Sequence, residues 1–136
     1  MSPSPKDAGS YLSRDFAPIA DQVEWNLLEG VAEVAPGVSV LPCRGHTMGM
    51  QLVRVRAGGR TLLHGADLFP TRWHLRPTWN MAYDNDPLVT VQEKRWWLSV
   101  AVEQGWVFLL EHDADLPAIR PTDAKGGFEM VDFAGA

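Results

Sequence analysis

The chain is 136 residues long, 46% hydrophobic, 21% charged and 10% aromatic, proportions that fit one soluble globular unit and exclude a disordered or fibrous class. Acidic residues outnumber basic ones 17 to 12, for a formal charge of −5, and the basic residues are scattered, which leaves no electrostatic footprint for nucleic acid. The single cysteine, Cys43, has no intramolecular disulfide partner, and there is neither an N-terminal apolar leader nor an uninterrupted apolar run approaching membrane length, so the expectation is a cytoplasmic chain with no membrane contact.

Ser2-Pro3-Ser4-Pro5 opens the chain as a linker-like terminus, and Tyr11 to about Gln22 carries a weak helical pattern interrupted by Pro18. Val38-Ser39-Val40-Leu41, held between Pro36-Gly37 and Pro42, is a short strand bounded by breakers. Gln51 to Arg56 alternates Val53 and Val55 with Arg54 and Arg56, and Ala57-Gly58-Gly59 turns it into Arg60-Thr61-Leu62-Leu63-His64, a hairpin. The longest helix signal opens at Thr90, where Thr90-Val91-Gln92-Glu93 has the form of a capping box, and closes at Gly105; Trp97, Val100, Ala101 and Gln104 lie on one stripe. Trp106 to Leu110 follows as a continuous apolar run suited to a strand buried on both faces, which completes a βαβ unit. Ala118 to Pro121 and Phe128 to Phe133, around Lys125-Gly126-Gly127, predict a closing hairpin.

The polar residues gain meaning from their places on this frame. His46 follows the Val38–Leu41 strand, Asp67 follows the Arg60–His64 strand and His112 follows the Trp106–Leu110 strand. A meander makes the first two of these strands parallel, and the crossover helix makes the third parallel to them, so all three side chains are expected along one edge of the sheet, where open α/β sheets hold their ligands. Two imidazoles and a carboxylate suit zinc, manganese or iron, and one carboxylate can bridge two ions.

Gly45-His46-Thr47-Met48-Gly49, Leu62-Leu63-His64-Gly65-Ala66-Asp67 and Leu110-Glu111-His112-Asp113 together resemble the second half of the metallo-β-lactamase-fold hydrolase superfamily. Phe69 to Asp113, with Trp79-Asn80-Met81-Ala82-Tyr83-Asp84 and Asp86-Pro87, resembles its lactonase-like and esterase-like branch. The resemblance implies an α/β, layered α+β fold: part of an αββα sandwich, mainly the second mixed sheet with its βαβ crossover helix. It implies a C-terminal half of such a domain over residues 25–136, preceded by a partly flexible extension, residues 1–24. It also implies one or two zinc ions, or manganese or iron, on His46, bridging Asp67 and His112, with Asp67 central to catalysis. An ester or lactone bond of a small molecule would be cleaved by metal-bound hydroxide.

The family's His-x-His-x-Asp-His motif does not occur here, since the four histidines are His46, His64, His74 and His112. The competing expectation is therefore a non-catalytic fragment or binding module that completes its fold with a partner, either a second copy or a complementing N-terminal half. Trp73, His74, Trp79 and Tyr83 are candidates for the apolar wall of a substrate pocket. His64 is expected to be structural and Cys43 to be an inert thiol; Glu111 and Asp113 either orient His112 or, as such charges more often do, simply face solvent. Of the adjacent Trp96 and Trp97, only Trp97 is expected to face the core.

Overall fold

The computed structural model describes residues 5–131. Seven strands, β1 (Ala32–Ala35), β2 (Val38–Pro42), β3 (Gln51–Ala57), β4 (Arg60–His64), β5 (Val107–Leu109), β6 (Ala118–Pro121) and β7 (Phe128–Met130), form one sheet in sequence order. All neighbours pair antiparallel except β4 and β5, which are parallel. The sheet is thus the mixed sheet of an α/β, layered α+β fold with the anticipated βαβ crossover. Phe133, expected to end the last strand, lies outside the described residues.

Turn chemistry sets the register. Pro36-Gly37 joins β1 to β2, with Pro fixing one central dihedral and Gly37 adopting φ +77°, the signature of a type II turn. Gly58 and Gly59, both at positive φ, join β3 to β4 in a two-residue loop, as tight right-twisted hairpins require. Strand β1 lies beyond what the sequence predicts, because Ala32-Glu33-Val34-Ala35 offers little apolar alternation and the Pro-Gly pair that breaks the pattern is the turn that folds it back on β2.

Two helices accompany the sheet: α1 (Ser13–Ala20), which buries no residue, and α2 (Pro87–Gln104). The free carbonyls at the end of α1 are met by side chains, Gln22 Nε2 donating to Pro18 O and Trp25 Nε1 to Ala20 O. Helix α2 begins a turn before the expected Thr90. Asp86 caps it by accepting from Val89 N at 3.1 Å, and Pro87 occupies the first turn, where its missing N–H costs nothing. Glu93 does not reach back as a capping box would; it accepts from Trp97 Nε1. Gly105 closes the helix in the left-handed conformation.

The buried stripe of α2 is Thr90, Lys94, Leu98 and Ala101, rotated from the expected Trp97, Val100, Ala101 and Gln104. Trp97 and Val100 pack at the margin of the core, Gln104 is exposed, and Trp96 points to solvent. This stripe lies over Leu41, Leu52, Leu63, Phe108 and Ile119, which are all but inaccessible and share one face of the sheet. On the opposite face Val40, Val53, His64, Leu109 and Ala118 run in a row across five strands, and Val38, Val55, Leu62 and Val107 form the next row. Apart from Val107 and Ala118, these side chains are only partly buried. Among the described residues no helix is long and apolar enough to cross a membrane.

Candidate metal centre

Strands β2, β4 and β5 point the same way, so the loops after them meet at one edge. His46 lies four residues past β2, while Asp67 and His112 each lie three residues past their strands. His46 Nε2 stands 3.4 Å from Asp67 Oδ2, and His112 Nε2 stands 3.3 Å from Asp67 Oδ1. The two imidazoles therefore flank one carboxylate, one on each oxygen.

Local sequence explains each placement. A Cβ on Gly45 would fall 2.2 Å from Thr90 Oγ1, so only glycine lets the loop after β2 press against the first turn of α2. The backbone then fastens it: Asp86 N donates to Gly45 O, and Asn85 N to His46 O. The same segment presents Asp84, whose carboxylate is nearly inaccessible and accepts from His46 Nδ1 at 2.9 Å. With its proton on Nδ1, the imidazole turns the Nε2 lone pair toward Asp67. Asp67 sits in a 3-10 turn, Ala66–Leu68, entered through Ala66 at φ +42°, a left-handed value that a non-glycine residue adopts at some cost. His112 is tethered by its own N–H to Pro70 O.

Glu111 joins this group. Its Oε1 is 3.1 Å from His112 Nε2 and its Oε2 is 3.1 Å from His64 Nε2, so a continuous string runs Asp84, His46, Asp67, His112, Glu111, His64. Asp67, Glu111 and His112 each offer a donor atom within 4.8 Å of the others. Asp113 turns the other way. Burial alone would push its carboxyl up, but the N–H groups of Arg72, Leu116 and Asp115, with the Arg72 guanidinium, outweigh this and hold it below the usual carboxylate range. It anchors the neighbouring loop instead of orienting His112.

The donor set suits a borderline divalent cation. Zinc bonds to imidazole nitrogen and carboxylate oxygen at about 2.0–2.2 Å, which puts tetrahedral donors roughly 3.3 Å apart. The separations of 3.1, 3.3 and 3.4 Å along this string match that spacing. His46 Nε2 and the Asp67 oxygen it faces are both donor atoms that a cation between them could use.

Beside His46 and Asp67 opens a cleft of about 510 Å³, lined also by Thr47, Met50 and Tyr83 and by Lys6, Asp7, Ser10 and Tyr11. Lys6 Nζ donates to Tyr83 O and to Asn85 Oδ1, so the N-terminal segment forms a wall of the cleft. The Tyr83 ring meets His46 edge-on, with centroids 5.9 Å apart. The cleft does not include the other three aromatic candidates. Trp73 lies beneath the Arg72 guanidinium, Trp79 beneath that of Arg76, and His74 Nδ1 pairs with Thr71 Oγ1. Sequence reasoning missed Asp84 as the partner of His46 and the N-terminal wall. Nothing in the sequence marks the acid at Asp84, two residues before the Asp86-Pro87 helix start, as buried, and composition offers no signal for the N-terminal wall.

Two further buried groups stand near the core. Lys94, 1% exposed, donates to Trp79 O, and desolvation pulls its ammonium down to about 8 despite the nearby Asp84 charge. Burial, reinforced by Glu93, pushes the Cys43 thiol up to about 12, which makes it unreactive.

No family model and no curated protein sequence matches the chain. Its fold does match solved structures. A probable metal-dependent hydrolase from Staphylococcus aureus superposes with a TM-score of 0.70 at 27% identity, over 79% of this chain and 40% of that one. The hydrolase AbOPH of the beta-lactamase superfamily gives 0.71 at 18% identity, over 96% of this chain and 48% of its own. AidC, a dizinc quorum-quenching lactonase solved with the product N-hexnoyl-L-homoserine, gives 0.69 at 18% identity, over 87% and 40%. The chain thus has part of the fold of beta-lactamase-superfamily metal-dependent hydrolases, and it spans less than half the length of these matched structures.

Proposed function

We propose that this chain is the C-terminal, metal-binding half of a metallo-β-lactamase-type hydrolase acting on an ester or lactone bond of a small molecule. The observation that carries the reading is the flanking of Asp67 by His46 Nε2 and His112 Nε2 at 3.4 and 3.3 Å. His46, Asp67 and His112 would hold one or two divalent ions, zinc first and manganese or iron as substitutes. A bound ion of this kind supplies Lewis acidity toward the scissile carbonyl and lowers the pKa of water toward neutrality. Asp84 fixes the His46 tautomer, and the cleft beside Tyr83 and Tyr11 gives a small ester or lactone room next to the ligands. The cytoplasm is the compartment we favour, because Cys43 is a free buried thiol.

A second reading has its own support. The rows of Val38, Val40, Val53, Val55 and Leu62 on the face away from α2 are apolar and partly exposed, which suits a partner, either a complementing half or a second copy. In that reading the chain is an interaction module without turnover of its own. Zinc content combined with hydrolysis of a panel of aryl esters and acyl lactones separates the two. Turnover that follows zinc and disappears in Asp67→Ala supports the hydrolase; zinc-free protein without turnover, alone and with a complementing half, overturns it.

A further inference from the structure

We propose that Glu111 is a third protein donor to the cation held by His112 and Asp67, so that this chain closes a one-ion site from its own residues. The inference rests on the reading of His112 and Asp67 as ligands and adds a residue to it. Bridged between two ions, His46, Asp67 and His112 would give each ion only two protein donors, whereas a catalytic zinc takes three and leaves a position open. Glu111 supplies the missing one. Its Oε1 stands 3.1 Å from His112 Nε2, which itself stands 3.3 Å from Asp67 Oδ1, and all three residues offer donors within 4.8 Å of one another.

The carboxylate is also held for this task. His64, in the last position of β4, places Nε2 3.1 Å from Glu111 Oε2, occupying the outer oxygen and presenting the inner one to His112. Partners of this kind orient ligands in metal sites and commonly change affinity about 10–100-fold when removed. Charge supports the arrangement, since two carboxylates balance a divalent ion. Asp113, the other acid beside His112, is committed to Arg72 and to backbone N–H groups and does not compete.

The test is zinc binding by the full chain, stripped with chelator and titrated with zinc alone against a chromophoric competitor. Thermal melting with and without zinc runs in parallel. The expected result is one zinc per chain, weakened about 10–100-fold in His64→Ala and at least as strongly in Glu111→Gln. Zinc-free Glu111→Gln should melt as the zinc-free parent does, since Glu111 is exposed. If Glu111→Gln binds zinc like the parent while Asp67→Ala and His112→Ala abolish binding, the role of Glu111 is overturned and the wider hydrolase reading stands. A parent chain that takes up no zinc overturns the self-contained site, and the hydrolase reading then falls only if zinc-dependent turnover is also absent with a complementing half.

Discussion

The covered face of the sheet and its C-terminal edge are built from the same strands and put them to opposite uses. Under α2, Leu52, Leu63, Phe108 and Ile119 are wholly buried, with the Phe69 and Phe108 rings 4.8 Å apart; a few residues further along the chain, three acids and three histidines stand in one string. The first region lowers the free energy of the fold by removing carbon from water. The second contributes ionisable groups instead of buried carbon, and it sets Asp67, Glu111 and His112 at an accessible edge where a cation can reach them. The difference shows cohesion invested in the strands and chemistry in the loops that leave them.

The sharpest way to break this contrast is to substitute on each side and compare. Phe108→Ala should cost about 3–5 kcal/mol of stability in urea denaturation without metal, while Asp67→Ala should cost nothing measurable in the same assay. Equal losses would mean the edge is part of the core. With zinc added at about 100 times its dissociation constant, the parent should gain roughly 2.7 kcal/mol. Asp67→Ala and His112→Ala should gain none, as read from the shift in denaturation midpoint.

Lys94 sharpens the comparison, because it is a charged group on the cohesive side. The unfolded chain holds this proton up to about 10.5, the folded chain releases it near 8, and between these values the unfolded state binds more protons. Stability should therefore rise with pH across that window. Cys43 acts in the opposite sense above pH 9.0, because the folded thiol keeps its proton to about 12. Subtracting Lys94→Met cancels the thiol: the parent should gain on the variant between pH 8 and 10.5, on the order of 3 kcal/mol, in denaturation series at stepped pH. The smallest effect belongs to the cap of α2. Asp86→Ala should cost about 1 kcal/mol, with zinc affinity lowered only as far as the adjoining His46 loop is loosened.

Much of this architecture could be read from residue order. The alternation in β3, the Gly58-Gly59 turn and the Gly105 stop are local signals, and they give the direction of β2, β4 and β5, hence the meeting of His46, Asp67 and His112 at one edge. What escaped was set by tertiary context. The strand Ala32–Ala35 is specified by pairing with β2 more than by its own residues. The stripe of α2 contains Thr90 and Lys94, which no apolar periodicity selects: Thr90 is buried because the Gly45 loop lies against it, and Lys94 because Trp79 O receives its ammonium. Glu111 and Asp84 resembled ordinary solvated acids until the fold set an imidazole against each.

The most direct test is anomalous diffraction at the zinc edge from crystals of the full chain grown with zinc. The account predicts a peak within about 2.0–2.2 Å of His112 Nε2 and an Asp67 carboxylate oxygen. A zinc-loaded crystal with that edge empty, or with the ion held only by residues elsewhere, would contradict it.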